Sequence, residues 1–289
     1  MVTLLCPVRN CGTPLIREER ALRCPRGHSF DVARSGYCNL LQPQDRKSKH
    51  PGDPKEAVLA RRRFLEAGHA DFLRTALLET FDALALPRRP AVLDVGCGEG
   101  FFLGSLARER EIEGHGIDLS APAIDLAARR WPGPSWLVVN ADRTLPFANA
   151  SFDLALSLTA RRNAPELRRV LKPEGRLLVA IPGEDDLIEL REAVLGEGLR
   201  RDRIPAVVTE LAGFFKLETH RLLRHRARLD AAALQDLLAS TYRGVRKSER
   251  HRAEDLGPME VTMSLDLLVF RVVPPLPVEG CAMGEGARG

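Results

Sequence analysis

The stretch that most constrains the fold is residues 92–100, which read VLDVGCGEG. The apolar beginning predicts a buried strand over 91–95, and the end predicts a glycine-rich turn. Glycines at 96, 98 and 100 allow left-handed backbone angles and let a ligand approach closely, because they lack a Cβ. Asp94 needs a partner at the end of an apolar strand, either loop amides or the ammonium group of a ligand. The stretch therefore predicts a ligand-binding turn.

Strands and helices alternate after this turn. We expect strands over 136–142, 151–156, 175–181, 214–221 and 261–272, with another ending at residue 118, and helices over 101–109, 121–130, 187–195 and 231–238, with another closing at 168–173. Two helical patterns, separated by Gly68-His69, precede the turn. Far beyond the turn, the acidic run 184–186 is suited to capping the helix predicted over 187–195. This alternation predicts an α/β fold with a parallel sheet, in which ligands bind at the carboxyl ends of the strands.

Polar residues close several of these strands. Asp118 lies 20 residues beyond Gly98, the spacing at which a doubly wound fold presents an acid to ribose hydroxyls. Asn140 and Asp142 close the third strand and are candidates for an adenine edge. The predicted cofactor-binding residues are Asp94, Gly96, Gly98, Glu99, Gly100, Phe102, Asp118, Asn140 and Asp142.

The turn distinguishes two cofactors that use such a sheet. A dinucleotide fingerprint reads G-x-G-x-x-G and holds a pyrophosphate at a helix N-terminus. Here the pattern is D-V-G-C-G-E-G, with carboxylates at Asp94 and Glu99. These acids would repel a pyrophosphate but suit a sulfonium and an ammonium. We therefore expect a Rossmann-like class I methyltransferase sheet that uses S-adenosylmethionine.

The N-terminal residues contain a second pattern, C-x4-C-x12-C-x3-H, formed by Cys6, Cys11, Cys24 and His28. Reduced thiols and one imidazole in this number are typical of a zinc site. A closed site of four ligands is structural, and it stabilises a segment too short for a core of its own. The alternative is a set of buried cysteines with a surface histidine.

Charge is distributed unevenly along the chain. Residues 1–63 hold 13 Lys and Arg against 6 Asp and Glu, whereas the remainder holds 30 against 33. A localised positive region attracts nucleic acid, although a merely solvated surface is the alternative. We expect a zinc-binding RNA-recognition module over 1–42, a basic linker with helices over 43–85, the catalytic domain over 86–273 and a disordered tail over 274–289.

Other features bear on where the protein acts. No apolar run reaches the roughly 20 residues that a membrane span needs, so we expect no membrane association. The start lacks the pattern of a secretory signal, which predicts a cytoplasmic protein. For the oligomeric state, a homodimer is one of the assemblies that the sequence permits. Residues 243–254 are densely charged and are interpreted as a solvated excursion.

Further motifs accompany the turn and the zinc pattern. They are CPRGHSFD at 24–31, GYCNLL at 36–41, PGD at 51–53 and RRRFLEAGH at 61–69. With these motifs, residues 4 to about 272 resemble the ribosomal RNA large-subunit (23S) guanine-N1 methyltransferases. The resemblance implies S-adenosylmethionine as donor, N1 of one guanine in a 23S hairpin as acceptor, and an N-terminal module that grips the RNA.

The chain departs from this family at three places. The family's tyrosine after Gly-His, which helps line the donor site, is Ala70, and a histidine near the donor is replaced by Asp186. The stretch expected to face the target base reads TARRN at 159–163. A diverged paralogue that methylates another RNA or a small molecule is therefore an alternative, as is a non-catalytic RNA-binding protein.

The expected reaction is a direct in-line displacement, in which holding the acceptor nitrogen close to the methyl carbon supplies much of the rate. Guanine N1 carries a proton, so a base must remove it. The sequence does not identify this base. Asp142 and Asp186 are candidates, and their alternative roles are an adenine contact and a helix cap.

Overall fold

The computed structural model describes residues 1–45, 51–196, 198–241 and 256–274. The N-terminal module begins with a small antiparallel sheet of three strands, β1 (Ile16–Arg17), β2 (Ala21–Arg23) and β3 (Ser29–Asp31). A fourth short strand, β4 (Cys38–Asn39), follows and joins the large sheet instead of the small one.

The large sheet has eight strands in the order β10-β11-β9-β8-β5-β6-β7-β4. Its further strands are β5 (Ala91–Val95), β6 (Glu113–Asp118), β7 (Ser135–Val138), β8 (Phe152–Leu158), β9 (Leu171–Pro182), β10 (Phe215–Leu229) and β11 (Met259–Val272). The strands from β9 to β4 are parallel, whereas β11 is antiparallel to both of its neighbours. The predicted α/β fold is confirmed, but the expectation of a parallel sheet is wrong at β11.

Eight helices lie in the described part of the chain. They are α1 (Lys55–Glu66), α2 (Asp71–Ala83), α3 (Phe101–Glu109), α4 (Ala121–Arg130), α5 (Ala164–Val170), α6 (Ile188–Leu195), α7 (Ile204–Leu211) and α8 (Ala231–Thr241). The helices predicted over 101–109 and 121–130 are confirmed. Helix α5 ends at Val170, within the stretch 168–173 that was predicted to close it, and the Asn163 side chain caps its start by accepting a hydrogen bond from the Glu166 amide.

Two expectations about the C-terminal half are wrong, and one element was missed. The acidic run 184–186 does not cap α6: its N-cap is Leu187, with no capping side chain, and Asp186 Oδ1 instead accepts a hydrogen bond from the Ser264 amide at 2.9 Å. Strand β10 extends beyond the predicted end at 221, because its later positions are mostly exposed and half of them are polar, which gives no continuous apolar signal. Helix α7 was not predicted. The charged segment 243–254 and the tail beyond Pro274 lie outside the described residues.

The N-terminal module packs directly on the large sheet. Strand β4 pairs in parallel with β7, and the Leu5 amide donates a hydrogen bond to the Pro146 carbonyl at 2.9 Å. Apolar residues of the module share one hydrophobic cluster with residues of the sheet, among them Leu22 and Phe147. The module therefore gains its stability partly from the sheet, and the division of the chain into the four predicted segments stays a prediction.

The linker that follows the module ends against the cofactor side of the sheet. Residues 46–50 lie outside the described part, but Gly52 packs on Ser120, where an added Cβ would lie 2.5 Å from the Ser120 amide nitrogen. The Ser120 hydroxyl donates a hydrogen bond to the Asp53 carbonyl at 2.7 Å. This part of the predicted basic linker is therefore anchored. None of the described helices is long and apolar enough to cross a membrane.

The contact between module and sheet leads to a stability prediction. Phe147 is fully buried and packs edge-to-face on Phe152, with ring centroids 4.9 Å apart. Phe147→Ala should lower the free energy of unfolding by about 3–5 kcal/mol, because it leaves a cavity between the module and the sheet. Urea denaturation followed by tryptophan fluorescence measures this. Leu222→Ala, at a site 54% exposed, is the control and should change it by less than about 0.5 kcal/mol. Equal losses in both variants would contradict the packing described above.

Candidate functional site

The glycine-rich turn after β5 adopts the predicted backbone. Gly96, Gly98 and Gly100 have φ angles of 75°, 57° and 78°, all in the left-handed region that favours glycine. The glycines also make room for packing, because a Cβ on Gly100 would lie 2.5 Å from the Trp136 ring. Gly96 itself lines a large cleft. A ligand in that cleft therefore meets bare backbone at this turn.

Asp118 is fixed beside the turn by the register of the sheet. Strand β6 runs parallel to β5, with Val95 opposite Ile117, so Asp118 ends next to the glycines. Its Oδ2 accepts a hydrogen bond from the Gly98 amide at 3.0 Å, and its Oδ1 accepts one from the Ser120 amide at 2.8 Å. The carboxylate is thus held in one orientation at the cleft wall.

The cleft has a volume of about 790 Å³, which suits a ligand of cofactor size. It runs along the carboxyl edge of the parallel strands and under α1, α2 and α8. The predicted site residues that line it are Gly96, Phe102, Asp118, Asn140, Asp142 and Asp186. Four other predicted cofactor residues, Asp94, Gly98, Glu99 and Gly100, are not among the lining residues.

Asp94 and Glu99 are two buried acids behind the glycine turn. Asp94 is 2% exposed, and burial, with help from neighbouring Asp118 and Glu99, raises its pKa to about 7 in spite of Arg61. Burial also raises the pKa of Glu99, which is 5% exposed. No described residue donates a hydrogen bond to the Asp94 carboxylate, so the expected bonds from loop amides are not observed.

Glu99 has an oxygen without a hydrogen-bond partner. Its Oε2 is buried and forms no hydrogen bond with any residue that the structure describes, and the nearest cation, Arg61 Nε, lies 4.0 Å away. Burying a carboxylate oxygen without a partner is costly, so a positive charge in the neighbouring cleft would stabilise it, although Glu99 does not itself line that cleft. The turn, Asp118 and this acid together fit a donor that carries an ammonium and a sulfonium.

The residues beyond β7 form the other end of the wall. Asn140 is buried; its Nδ2 donates to the Asp45 carbonyl and its Oδ1 accepts from the Asp142 amide, both at 3.0 Å. Asp142 is exposed, and its Oδ2 lies 3.3 Å from Arg161 Nη1. Both residues line the cleft as predicted, but Asn140 is already engaged in holding the loop.

Asp186 lies at the carboxyl end of β9, on the opposite part of the cleft from Asn140. Burial raises the pKa of its carboxyl group to about 6, although the Ser264 amide, Arg191 and Arg203 favour the charged form. Ala70 also lines the cleft, at the N-cap of α2. Ala70 and Asp186 therefore face the same cavity, and residues 159–161 of the third departure from the family pattern line it as well.

The four predicted metal ligands come together in the N-terminal module. The ligand atoms of Cys6, Cys11, Cys24 and His28 all lie within 4.8 Å of one another. Cys24 Sγ lies 3.8 Å from Cys11 Sγ and 3.3 Å from His28 Nδ1. Zn–S bonds of about 2.3 Å give a tetrahedron with edges of about 3.8 Å, so the cluster has the right size for zinc.

Sequence reasoning missed some residues of the cleft. Arg61 of α1, Asp53 of the linker and Leu237 of α8 all line it, yet none was a predicted site residue. The one signal for Arg61 and Asp53 was their place in the motifs of residues 61–69 and 51–53. Leu237 gave no signal, because an apolar residue on a helix is ordinarily part of a core.

Two family models match the chain. One described as "RlmA, N-terminal", a zinc ribbon, matches residues 4–49, and one described as "Methyltransferase domain" matches residues 92–175. A 23S rRNA (guanine(748)-N(1))-methyltransferase of Streptomyces fradiae is 38% identical over 277 residues, which cover 94% of this chain and 97% of that protein. The chain belongs to the 23S rRNA guanine-N1 methyltransferase family.

A second relative agrees with this assignment, and a solved structure shares the fold. A Micromonospora griseorubida protein, provisionally named for the same type of activity, is 41% identical over 206 residues, which cover 65% of this chain and 68% of that protein. A chain in the complex between the Haloferax volcanii Trm112 methyltransferase activator and a methyltransferase has the same fold, with a TM-score of 0.51, 21% identity and coverage of 78% of this chain and 99% of that chain. This family member thus has a class I methyltransferase domain, which uses S-adenosylmethionine, and a zinc ribbon.

The shared core of ribbon and sheet leads to a metal prediction. Purified protein should contain about one zinc per chain, and removing it with a chelator should lower the melting temperature of the whole protein, because the ribbon packs on β7. Metal analysis and thermal unfolding measure the two effects. Cys24→Ser should lose the zinc, whereas Cys38→Ala, a buried cysteine outside the cluster, should keep it. Zinc retained in Cys24→Ser would contradict the ligand set.

Proposed function

We propose that this protein transfers a methyl group from S-adenosylmethionine to N1 of a guanine in a hairpin of 23S ribosomal RNA. The observation that carries the proposal is the match to the Streptomyces fradiae enzyme, which spans the zinc ribbon, the linker and the sheet in one alignment. The acidic cleft next to a glycine turn supports the donor end of this reaction. By the nature of its substrate, the enzyme would act in the cytoplasm.

The donor, when bound, supplies an electrophilic methyl carbon on a sulfonium. Asp118 would accept hydrogen bonds from the ribose hydroxyls of the donor. The part of the cleft wall formed by Asn140 and Asp142 would contact the adenine. Phe102 would supply apolar wall, and the buried acids Asp94 and Glu99 would balance the positive charge. Gly96 lines the cleft and would allow the close approach of the donor, while Gly98 and Gly100 would give the turn its shape.

The zinc ribbon would serve the RNA end. Cys6, Cys11, Cys24 and His28 would hold one zinc ion and so fix the ribbon on the edge of the sheet. The excess of Lys and Arg in residues 1–63 supports a role in phosphate contacts, which position an RNA without reading its sequence. A homodimer stays a prediction that a single chain does not test.

Asp186 is the residue that we propose for removing the N1 proton. It lines the cleft, and its Oδ1 is oriented by the Ser264 amide at 2.9 Å. A base works best when its pKa lies near the working pH, and about 6 satisfies this while leaving the carboxylate ionised at neutral pH. Asp142 is the weaker choice, because it is exposed and paired with Arg161. The remaining rate acceleration would come from holding N1 of the guanine close to the methyl carbon of the donor.

The RNA assignment has a direct test. A methyl group on N1 blocks the Watson–Crick edge of guanine, so reverse transcriptase should stop one nucleotide before the modified base in 23S rRNA from the parent strain and read through in a deletion strain. The guanine equivalent to position 748 is the expected site. Purified protein and donor should restore the stop on RNA from the deletion strain. Donor binding without any methylated RNA would reject the proposal and favour the diverged paralogue.

The role of Asp186 is tested by the pH dependence of methyl transfer. The reactive form is the carboxylate, so the wild-type rate should rise with pH through about pH 6 and level off above it. Asp186→Asn should lose this limb and lower kcat by about 10²–10⁴-fold. Asp142→Asn is the matched control and should keep the limb. An unchanged limb in Asp186→Asn would exclude Asp186 as the base.

A further inference from the structure

Arg61 reaches the glycine turn from a helix that lies outside the sheet. It belongs to α1, and its side chain is 30% exposed at the wall of the cleft. Its guanidinium carbon lies 3.9 Å from the place that a Cβ on Gly98 would occupy. The guanidinium thus stands directly beside the backbone of the turn, on the side where the cleft opens.

The surroundings of Arg61 are strongly acidic. Asp94, Glu99 and Asp118 converge on this corner, and Arg61 favours the charged forms of Asp94 and Glu99. Even so, its Nε is 4.0 Å from Glu99 Oε2, too far for a hydrogen bond. The guanidinium donates no hydrogen bond to any residue that the structure describes. Arg61 therefore offers all of its donors to a ligand in the cleft.

The amino-acid end of S-adenosylmethionine places two opposite charges on one carbon. Three carboxylates suit its ammonium but would repel its carboxylate, so a tight site needs a cation at the same corner. A guanidinium is matched to a carboxylate, since it presents parallel N–H donors in a fixed plane. We propose that Arg61, which lines the cleft, binds the α-carboxylate of the donor, while the negative charge of the three acids favours its ammonium at the same corner.

The second arginine of the cleft does not fit this role. Among the described residues that line the cleft, Arg61 and Arg161 are the two arginines. The Arg161 side chain is 82% exposed and lies 3.3 Å from Asp142, at the end proposed for the adenine. Arg61 is the one next to the glycine turn, where the unpartnered acid lies. The assignment rests on the proposed donor but not on the proposed RNA acceptor.

Binding measurements with two ligands test the role of Arg61. The probes are S-adenosylmethionine and its decarboxylated analogue, which keeps the ammonium and the sulfonium but lacks the carboxylate. In calorimetry without RNA, Arg61→Ala should weaken S-adenosylmethionine by about 10- to 100-fold, the value of a charge-assisted hydrogen bond or two. Its affinity for the analogue should change by less than about threefold. Arg61→Lys should recover part of the loss.

The neighbouring arginine supplies the matched control. Arg62 lies on the same helix, but its Nε is 3.0 Å from Glu66 and it does not line the cleft. Arg62 also favours the charged form of Glu99, so Arg62→Ala should change the two affinities equally and only slightly. Equal weakening of both ligands by Arg61→Ala would show that Arg61 is a counter-charge of the acids and overturn the proposal, as would no weakening of either. Failure of RNA methylation would leave this comparison unaffected.

Discussion

The structure is organised around charge buried at the end of one apolar strand. All five residues of β5 are buried, and its Asp94 is followed by Glu99 in a turn with almost no exposure to water. Removing carboxylates from water is costly unless an opposite charge compensates, so the surrounding elements must supply that charge. Arg61 of α1 supplies part of it. The helices before the sheet would therefore contribute to the proposed donor site.

The same cost gives the site its selectivity. A buried cluster of carboxylates, in which one oxygen lacks a hydrogen bond, is less stable than apolar side chains at the same place would be. A cationic ligand reduces the electrostatic repulsion among these carboxylates. Active sites commonly retain such locally unfavourable arrangements because function needs them. The expected preference for a sulfonium over a pyrophosphate would thus follow from the protein's own electrostatics, before any contact with the adenosine is considered.

Sequence reasoning succeeded where the determinants lie close together along the chain. Strand β5, the glycine turn and Asp118 were predicted because hydrophobic periodicity, glycine spacing and strand length are local properties of the sequence. In the structure, Asp118 lines the cleft together with Gly96. The four metal ligands span residues 6–28, so their convergence needs only two tight turns, at Gly12 and Gly27, both with positive φ. Each of these predictions depends on a short segment whose geometry has few alternatives.

The failures concern pairings between distant segments. Strand β4 has only two residues and no hydrophobic pattern, yet it joins the ribbon to β7. Strand β10 continues through exposed residues because β11 pairs with it along its whole length. The approach of Arg61 to Glu99 depends on how α1 packs, which periodicity does not specify. The one sequence signal for Arg61 was the motif that contains it. A motif indicates that a residue matters but does not give its position in the folded protein.

The distribution of charge over the molecule also bears on how the proposed RNA substrate would enter. The described lining of the cleft contains five aspartates and two arginines: Asp45, Asp53, Asp118, Asp142, Asp186, Arg61 and Arg161. Such a cleft repels phosphates, whereas the N-terminal residues attract them. A guanine base is uncharged and passes this barrier once it leaves its stack, at a cost of a few kcal/mol that is smallest in a loop. The two regions together would keep the RNA backbone outside and admit a single base, so the basic ribbon and the acidic cleft act as parts of one selection step.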